Sequence, residues 1–348
     1  MRSHFTLTAA SMAAGLLALS ACTAVQEPVV PNTLVAVKAS AAPNLAAGAT
    51  DPVWAQARGL AVPLSGGTNF VKGETTATLK AAYFGDTVYF LVQYPDATDS
   101  QRRGPYQKQA DGSWKKLVDP ANKGGDDNIY YEDKWAFLWP IGTVANFDKK
   151  GCAVACHIGE GKPYGNKYTR TPGEVMDMWH MKGSRSAPWG FVDDQYADAT
   201  RYDPKTSPNA GRKSDPGNAG GDYTAIKLEG GKPTLMHKNG LPGNVSGLYY
   251  IKDGDQVPFD DSRFKAGDEV ASYVANQLKG DRADIRVSAS WKAGLHTSVV
   301  ARKLVTGSKT DVQFDNLGGK YLFGFAAFDN AQVQHATGDD ALTLVFAK

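Results

Sequence analysis

The sequence predicts a mainly all-β protein, an antiparallel β-sandwich with long loops gathered at one end. The chain of 348 residues carries 37 Gly and 18 Pro, which leaves little room for long helices. Short runs of strand type recur at 76–84, 87–94, 134–139, 175–181, 248–251, 284–291, 297–304, 321–328 and 341–346. Turns and long loops separate these runs, as expected of antiparallel sheets packed face to face.

The first two runs are joined by Gly85-Asp86, residues that tolerate positive φ and so mark a tight hairpin. Residues 267–278 place Val270, Val274 and Leu278 on one helical face and predict a single amphipathic helix. Residues 95–135 and 183–223 are rich in Gly, Asp, Lys, Asn and Pro. Loops of that length in a compact domain are functional or cover something.

The N-terminus sets the compartment. Residues 1–22 read MRSHFTLTAASMAAGLLALSAC, in which Arg2 precedes an apolar run from Ala9 to Leu19. The run is too short to span a bilayer as a stable helix and is expected to be an export signal. It ends in Leu19-Ser20-Ala21-Cys22, which is similar to a bacterial lipobox. The expectation is cleavage after residue 21, a lipid anchor on Cys22, a tether over 22–48 and a folded domain over 49–348. Thr23 stands where lipoproteins kept at the inner membrane often carry Asp, so an outer-membrane, periplasm-facing location is expected. With Lys+Arg 38 against Asp+Glu 36 and no basic block, nucleic acid is excluded as a partner.

The central motif is Gly151-Cys152-Ala153-Val154-Ala155-Cys156-His157. Two cysteines followed at once by a histidine is the pattern of covalent haem attachment, with His157 as the proximal iron ligand. Here three residues separate the cysteines where two are usual. A disulfide between Cys152 and Cys156 or a zinc site with His157 are the competing readings, and zinc lacks a second cysteine pair. One lipid anchor and two haem tethers account for all 3 cysteines. One covalent haem c per chain is the expectation, with the two long loops wrapped around it.

Several separated blocks carry a family resemblance. Asp51-Pro52-Val53-Trp54 is followed by Thr78-Leu79-Lys80-Ala81-Ala82-Tyr83 and Val88-Tyr89-Phe90-Leu91-Val92. Then come Glu132-Asp133-Lys134-Trp135-Ala136-Phe137-Leu138-Trp139-Pro140, the cysteine–histidine motif and Asp177-Met178-Trp179-His180-Met181-Lys182. Trp291-Lys292-Ala293-Gly294, Ala301-Arg302-Lys303-Leu304 and Phe325-Ala326-Ala327-Phe328-Asp329-Asn330 complete the set. In this order they resemble the haem-binding domain shared by ethylbenzene dehydrogenase-type γ subunits and related periplasmic cytochromes. The resemblance implies a β-sandwich holding haem at one end and working as an electron carrier between periplasmic redox proteins, a molybdenum oxidoreductase among them. The γ subunits hold a non-covalent b-type haem, and the cysteine tethers align this chain with a c-type branch. A lipid anchor departs from their soluble-complex pattern.

The sixth iron ligand is expected from His335 or His180, with Met178 behind them. The b-type relatives draw a ligand from the C-terminal region, which favours His335. Period-two alternation places His180 on one strand face with Met176 and Met178, opposite Trp179 and Met181. Arg185, Arg302 and Lys182 are candidates to pair with haem propionates. Asp126, Asp127, Glu132 and Asp133 form an acidic group without the spacing of a known Ca²⁺ loop. An electron carrier is expected; a haem enzyme or small-ligand sensor with an open axial site, and a haem-free sugar-binding sandwich, are the alternatives.

Overall fold

The computed structural model describes residues 30–156, 167–217 and 221–348. The chain divides into a unit of residues 1–31 and a unit of residues 32–348, and the described fold belongs to the second. Three expectations fall outside the described residues: the export signal over 1–21, the anchor at Cys22 and the ligand His157.

Thirteen strands share one sheet system. They are β1 (Thr33–Lys38), β2 (Leu60–Ser65), β3 (Glu74–Phe84), β4 (Thr87–Pro95), β5 (Lys134–Ile141), β6 (Val175–Lys182), β7 (Asp193–Ala197), β8 (Arg212–Ser214), β9 (Arg286–Lys292), β10 (Leu295–Lys303), β11 (Tyr321–Phe328), β12 (Ala336–Thr337) and β13 (Leu342–Phe346). One layer runs β8-β7-β6-β5-β11 and the other β3-β4-β10-β9. Two routes join them along one edge, β11-β12-β2-β3 and β11-β13-β1-β3. All pairings except those of β1 are antiparallel within this system.

Alternation along the strands fills the space between the layers. Trp135, Phe137 and Trp139 of β5 and Trp179 of β6 are fully buried, and Phe137, Trp139 and Trp179 meet Phe90 of β4. The Phe90 ring centre lies 5.5 Å from that of Phe137 and 5.6 Å from that of Trp179, although β4 pairs with neither β5 nor β6. These contacts are cross-layer packing, and burying each such ring contributes roughly 1.5–3 kcal/mol. The antiparallel sandwich expected from the sequence is therefore present.

The Gly85-Asp86 hairpin is also present, with Phe84 opposite Thr87 and Gly85 at φ +59°. Two expectations are corrected. Residues 267–278 form no helix; Glu269–Val270 and Tyr273–Ala275 are short strands. Tyr106–Lys108 and Tyr223–Ala225 offer them open edges, and β-branched and aromatic residues take such edges readily. The stretch 22–48 is also no simple tether, because β1 lies within it. Leu34 and Ala36 are fully buried there, between β13 and β3. Among the described residues, no helix is long and apolar enough to cross a membrane.

Candidate functional site

The outer face of β5, β6 and β11 carries what the sandwich interior does not. Lys134, Ala136 and Leu138 of β5, Met178, His180 and Lys182 of β6, and Gly324, Ala326 and Phe328 of β11 all point to one cavity of ≈ 560 Å³. That volume falls in the usual range for a small-molecule or cofactor site, roughly 300–1,000 Å³. Both long loops close over it. The first contributes Arg103, Gly124, Gly125 and Tyr131, the second Arg185 and Asp222, and β8 adds Arg212.

Cys152 enters from a turn packed on the same face. Gly151 holds φ +51°, where a Cβ would sit 3.0 Å from the Asp340 carbonyl oxygen. The one-turn helix Ala153–Cys156 follows, with Val154 and Ala155 buried against Leu138, Met176 and Met178. Gly324 makes room for the cysteine: a Cβ on it would meet the Cβ of Cys152 at 2.9 Å. The Cys152 Sγ lies 3.1 Å from the Thr337 hydroxyl. The side chain of Cys156 lies outside the described residues, as does His157.

The two candidate histidines both line this cavity. His180 is buried, its Nδ1 is 3.4 Å from Gln195 Oε1, and its Nε2 has no hydrogen-bond partner among the described residues. Burial, followed by the charges of Lys182 and Lys134, pushes its pKa well below the usual histidine value. The ring is therefore neutral, with a lone pair available. His335 tilts against Phe328 at 4.4 Å between ring centres, and its Nδ1 lies 2.5 Å from the Val333 carbonyl oxygen. A carbonyl holding Nδ1–H fixes the tautomer of this ring. Met178, the third candidate, shares the same wall.

The proposed propionate partners divide. Arg185 and Lys182 reach the cavity but already hold carboxylates: Arg185 pairs with Glu132 at 2.5 Å and Asp222 at 2.8 Å, and Lys182 with Asp193 and Asp222. Arg302 does not reach the cavity. It is 1% exposed, lies between the layers over Trp179, and pairs with Asp311 at 2.9 Å. Alternation on β10 turns it inward, which the sequence block alone did not reveal.

Two cations that sequence reasoning passed over fit an anion better. Lys134 has no carboxylate partner among the described residues; its Nζ donates to the Gln332 carbonyl at 3.0 Å and lies 4.1 Å from the Phe328 ring centre. Burial and then Arg185 hold its pKa well below the usual lysine value. Arg103 lies over Tyr223 at 4.0 Å and Tyr273 at 5.1 Å. The signal for Lys134 was its place in β5, on the face opposite Trp135. For Arg103 there was none.

The acidic group expected over 126–133 is dispersed. Asp127 receives the Tyr130 amide at 2.7 Å, Asp126 bonds Asn128, Glu132 holds Arg185, and Asp133 receives the Asn330 amide at 2.8 Å.

Residues 51–339 match a protein-family model described as Ethylbenzene dehydrogenase. No curated protein matches the chain. Among solved structures, a carbohydrate binding module family 9 from Caldicellulosiruptor kristjanssonii in complex with cellotriose is 9% identical. It covers 91% of this chain and 95% of its own, at a TM-score of 0.32. The same kind of module from that organism in complex with glucose is 10% identical, covering 90% and 95%, also at 0.32. Scores that low carry no argument about function.

Proposed function

The chain belongs to the ethylbenzene dehydrogenase family, and from that premise we propose that it is an electron-transfer protein carrying one covalent haem c. The observation that carries this reading is the Nε2 of buried His180, unpartnered among the described residues and facing the same cavity as Cys152. A bare buried nitrogen costs about 1–3 kcal/mol unless something occupies it. Iron is a partner that a neutral imidazole suits.

In this reading Cys152 and Cys156 would tether the haem, and His157 together with His180, or with His335 as the other candidate, would hold its iron. Leu138, Met178 and Phe328 exclude water from the ring, and Lys134 and Arg103 supply positive charge for its carboxylates. When bound, haem supplies a one-electron couple. Two strong protein ligands suit that role, because six-coordinate iron changes geometry little between oxidation states.

The anchor at Cys22 would hold the protein to the periplasmic face of the outer membrane, where redox proteins such as a molybdenum oxidoreductase are the partners. A visible spectrum of the purified protein with and without carbon monoxide tests the carrier reading. A low-spin spectrum unaltered by carbon monoxide is expected. Rapid carbon monoxide binding would give the protein to the alternative class, a haem enzyme or sensor with an open axial site.

A further inference from the structure

The edge of the sandwich opposite the β1–β3 seam is closed by aspartates. Asp177 of β6 and Asp194 of β7 point inward from one layer, and Arg302 of β10 points inward from the other. Asp311 comes from the loop after β10, Asp215 follows β8 and Asp284 precedes β9. Oxygens of Asp177, Asp194 and Asp311 lie within 4.8 Å of one another, and these residues are at most 1% exposed.

Among the described residues, each of those three carboxylates has one oxygen held and one bare. Asp177 Oδ2 accepts from the Val312 amide at 2.9 Å and the Trp179 indole at 3.0 Å, while its Oδ1 has no partner. Asp194 Oδ1 accepts its neighbour's amide at 3.1 Å, and Oδ2 has none. Asp311 Oδ2 accepts from the Thr306 hydroxyl at 2.6 Å, and Oδ1 has none. Beside them lies Asp215, 4% exposed, whose carboxylate interacts with those of Asp311 and Asp177. Held on one side and bare on the other, these groups have the preorganisation of ligands.

We propose that Asp177, Asp194, Asp311 and Asp215 bind a Ca²⁺ ion that pins the two layers together at this edge. The charge balance demands a cation. Four aspartates, Asp177, Asp194, Asp311 and Asp284, act on a single guanidinium, and buried carboxylates without compensation are costly. The donors are all oxygen, with no histidine or cysteine, which selects a hard cation over zinc. Ca²⁺ accepts six to eight oxygens in irregular geometry, whereas Mg²⁺ keeps several waters in a strict octahedron. A dry site built from separate strands and loops fits calcium better.

The test uses the whole purified protein, whatever its cavity holds. Chelation with EGTA should lower the melting temperature, and added Ca²⁺ should restore it more effectively than Mg²⁺. Asp194→Asn should weaken calcium binding on the order of 10- to 100-fold or more by calorimetry. Asp215→Asn, nearer the surface, should weaken it too and keeps the test open if the deeper variant misfolds. Asp133→Asn serves as the control, because Asp96, Asp133 and Asp329 form a second buried acidic group. A melting temperature indifferent to EGTA and calcium overturns the proposal. So does a calcium response that survives Asp215→Asn but vanishes with Asp133→Asn.

Discussion

Strand β6 serves two sites of opposite sign. Its outward residues, Met178, His180 and Lys182, face a cavity rimmed with arginine and lysine; its inward Asp177 joins a cluster of buried aspartates. On the outer face, burial and like charge drive Lys134 and His180 to give up protons. On the inner face, the same causes drive Asp177 up to about 7. Each face is short of the charge it lacks. The outer face suits an anionic ligand with a metal centre, the inner face a bare cation, and a period of two residues keeps them apart.

Axial substitution gives the largest expected effect and sharpens the contrast on the cavity side. His180→Ala should open the haem iron to carbon monoxide and change its potential, while His335→Ala should leave six-coordination intact. Spectra of the two variants with carbon monoxide decide the assignment. The reverse pattern would move the ligand to His335. Neither variant should alter the response to EGTA, since the aspartates lie on the other face.

A smaller effect isolates desolvation from like-charge crowding. His296 is buried, stacks on Tyr94 at 4.8 Å and is pushed down to about 4 by burial alone. The folded protein resists protonating it, whereas the unfolded chain takes up a proton near 6.5. Its contribution is full above that value and lost as pH falls toward 4, on the order of 3 kcal/mol in all. His296→Phe should flatten the fall in denaturant midpoint between pH 6.5 and 4. An unchanged acid limb would place the loss at other groups.

The sandwich was legible because its strands alternate strongly, as in Trp135, Phe137 and Trp139 with Ala136 and Leu138 between them. The same alternation placed His180 and Met178 on one face. It failed at 267–278, where the spacing of Val270 and Val274 suits a helix but open strand edges were available. It also failed at 33–38, whose burial depends on β13, some 300 residues away in the chain. The aspartate cluster was illegible for that same reason: Asp177, Asp194, Asp215, Asp284 and Asp311 meet only through the fold. The one local hint was an aspartate at an inward position of β6. Arg302 was assigned to the wrong side because its block gave residue types without saying which way β10 faces.

The most direct measurement is whether the colour stays with the chain. Purified protein should be denatured in acid, extracted with organic solvent and weighed intact by mass spectrometry. If Cys152 and Cys156 tether a haem in the cavity, the colour stays in the protein fraction and the mass exceeds that of the processed, lipid-bearing polypeptide by one haem. Colour that leaves with the solvent, or a chain carrying no haem mass, would contradict the account.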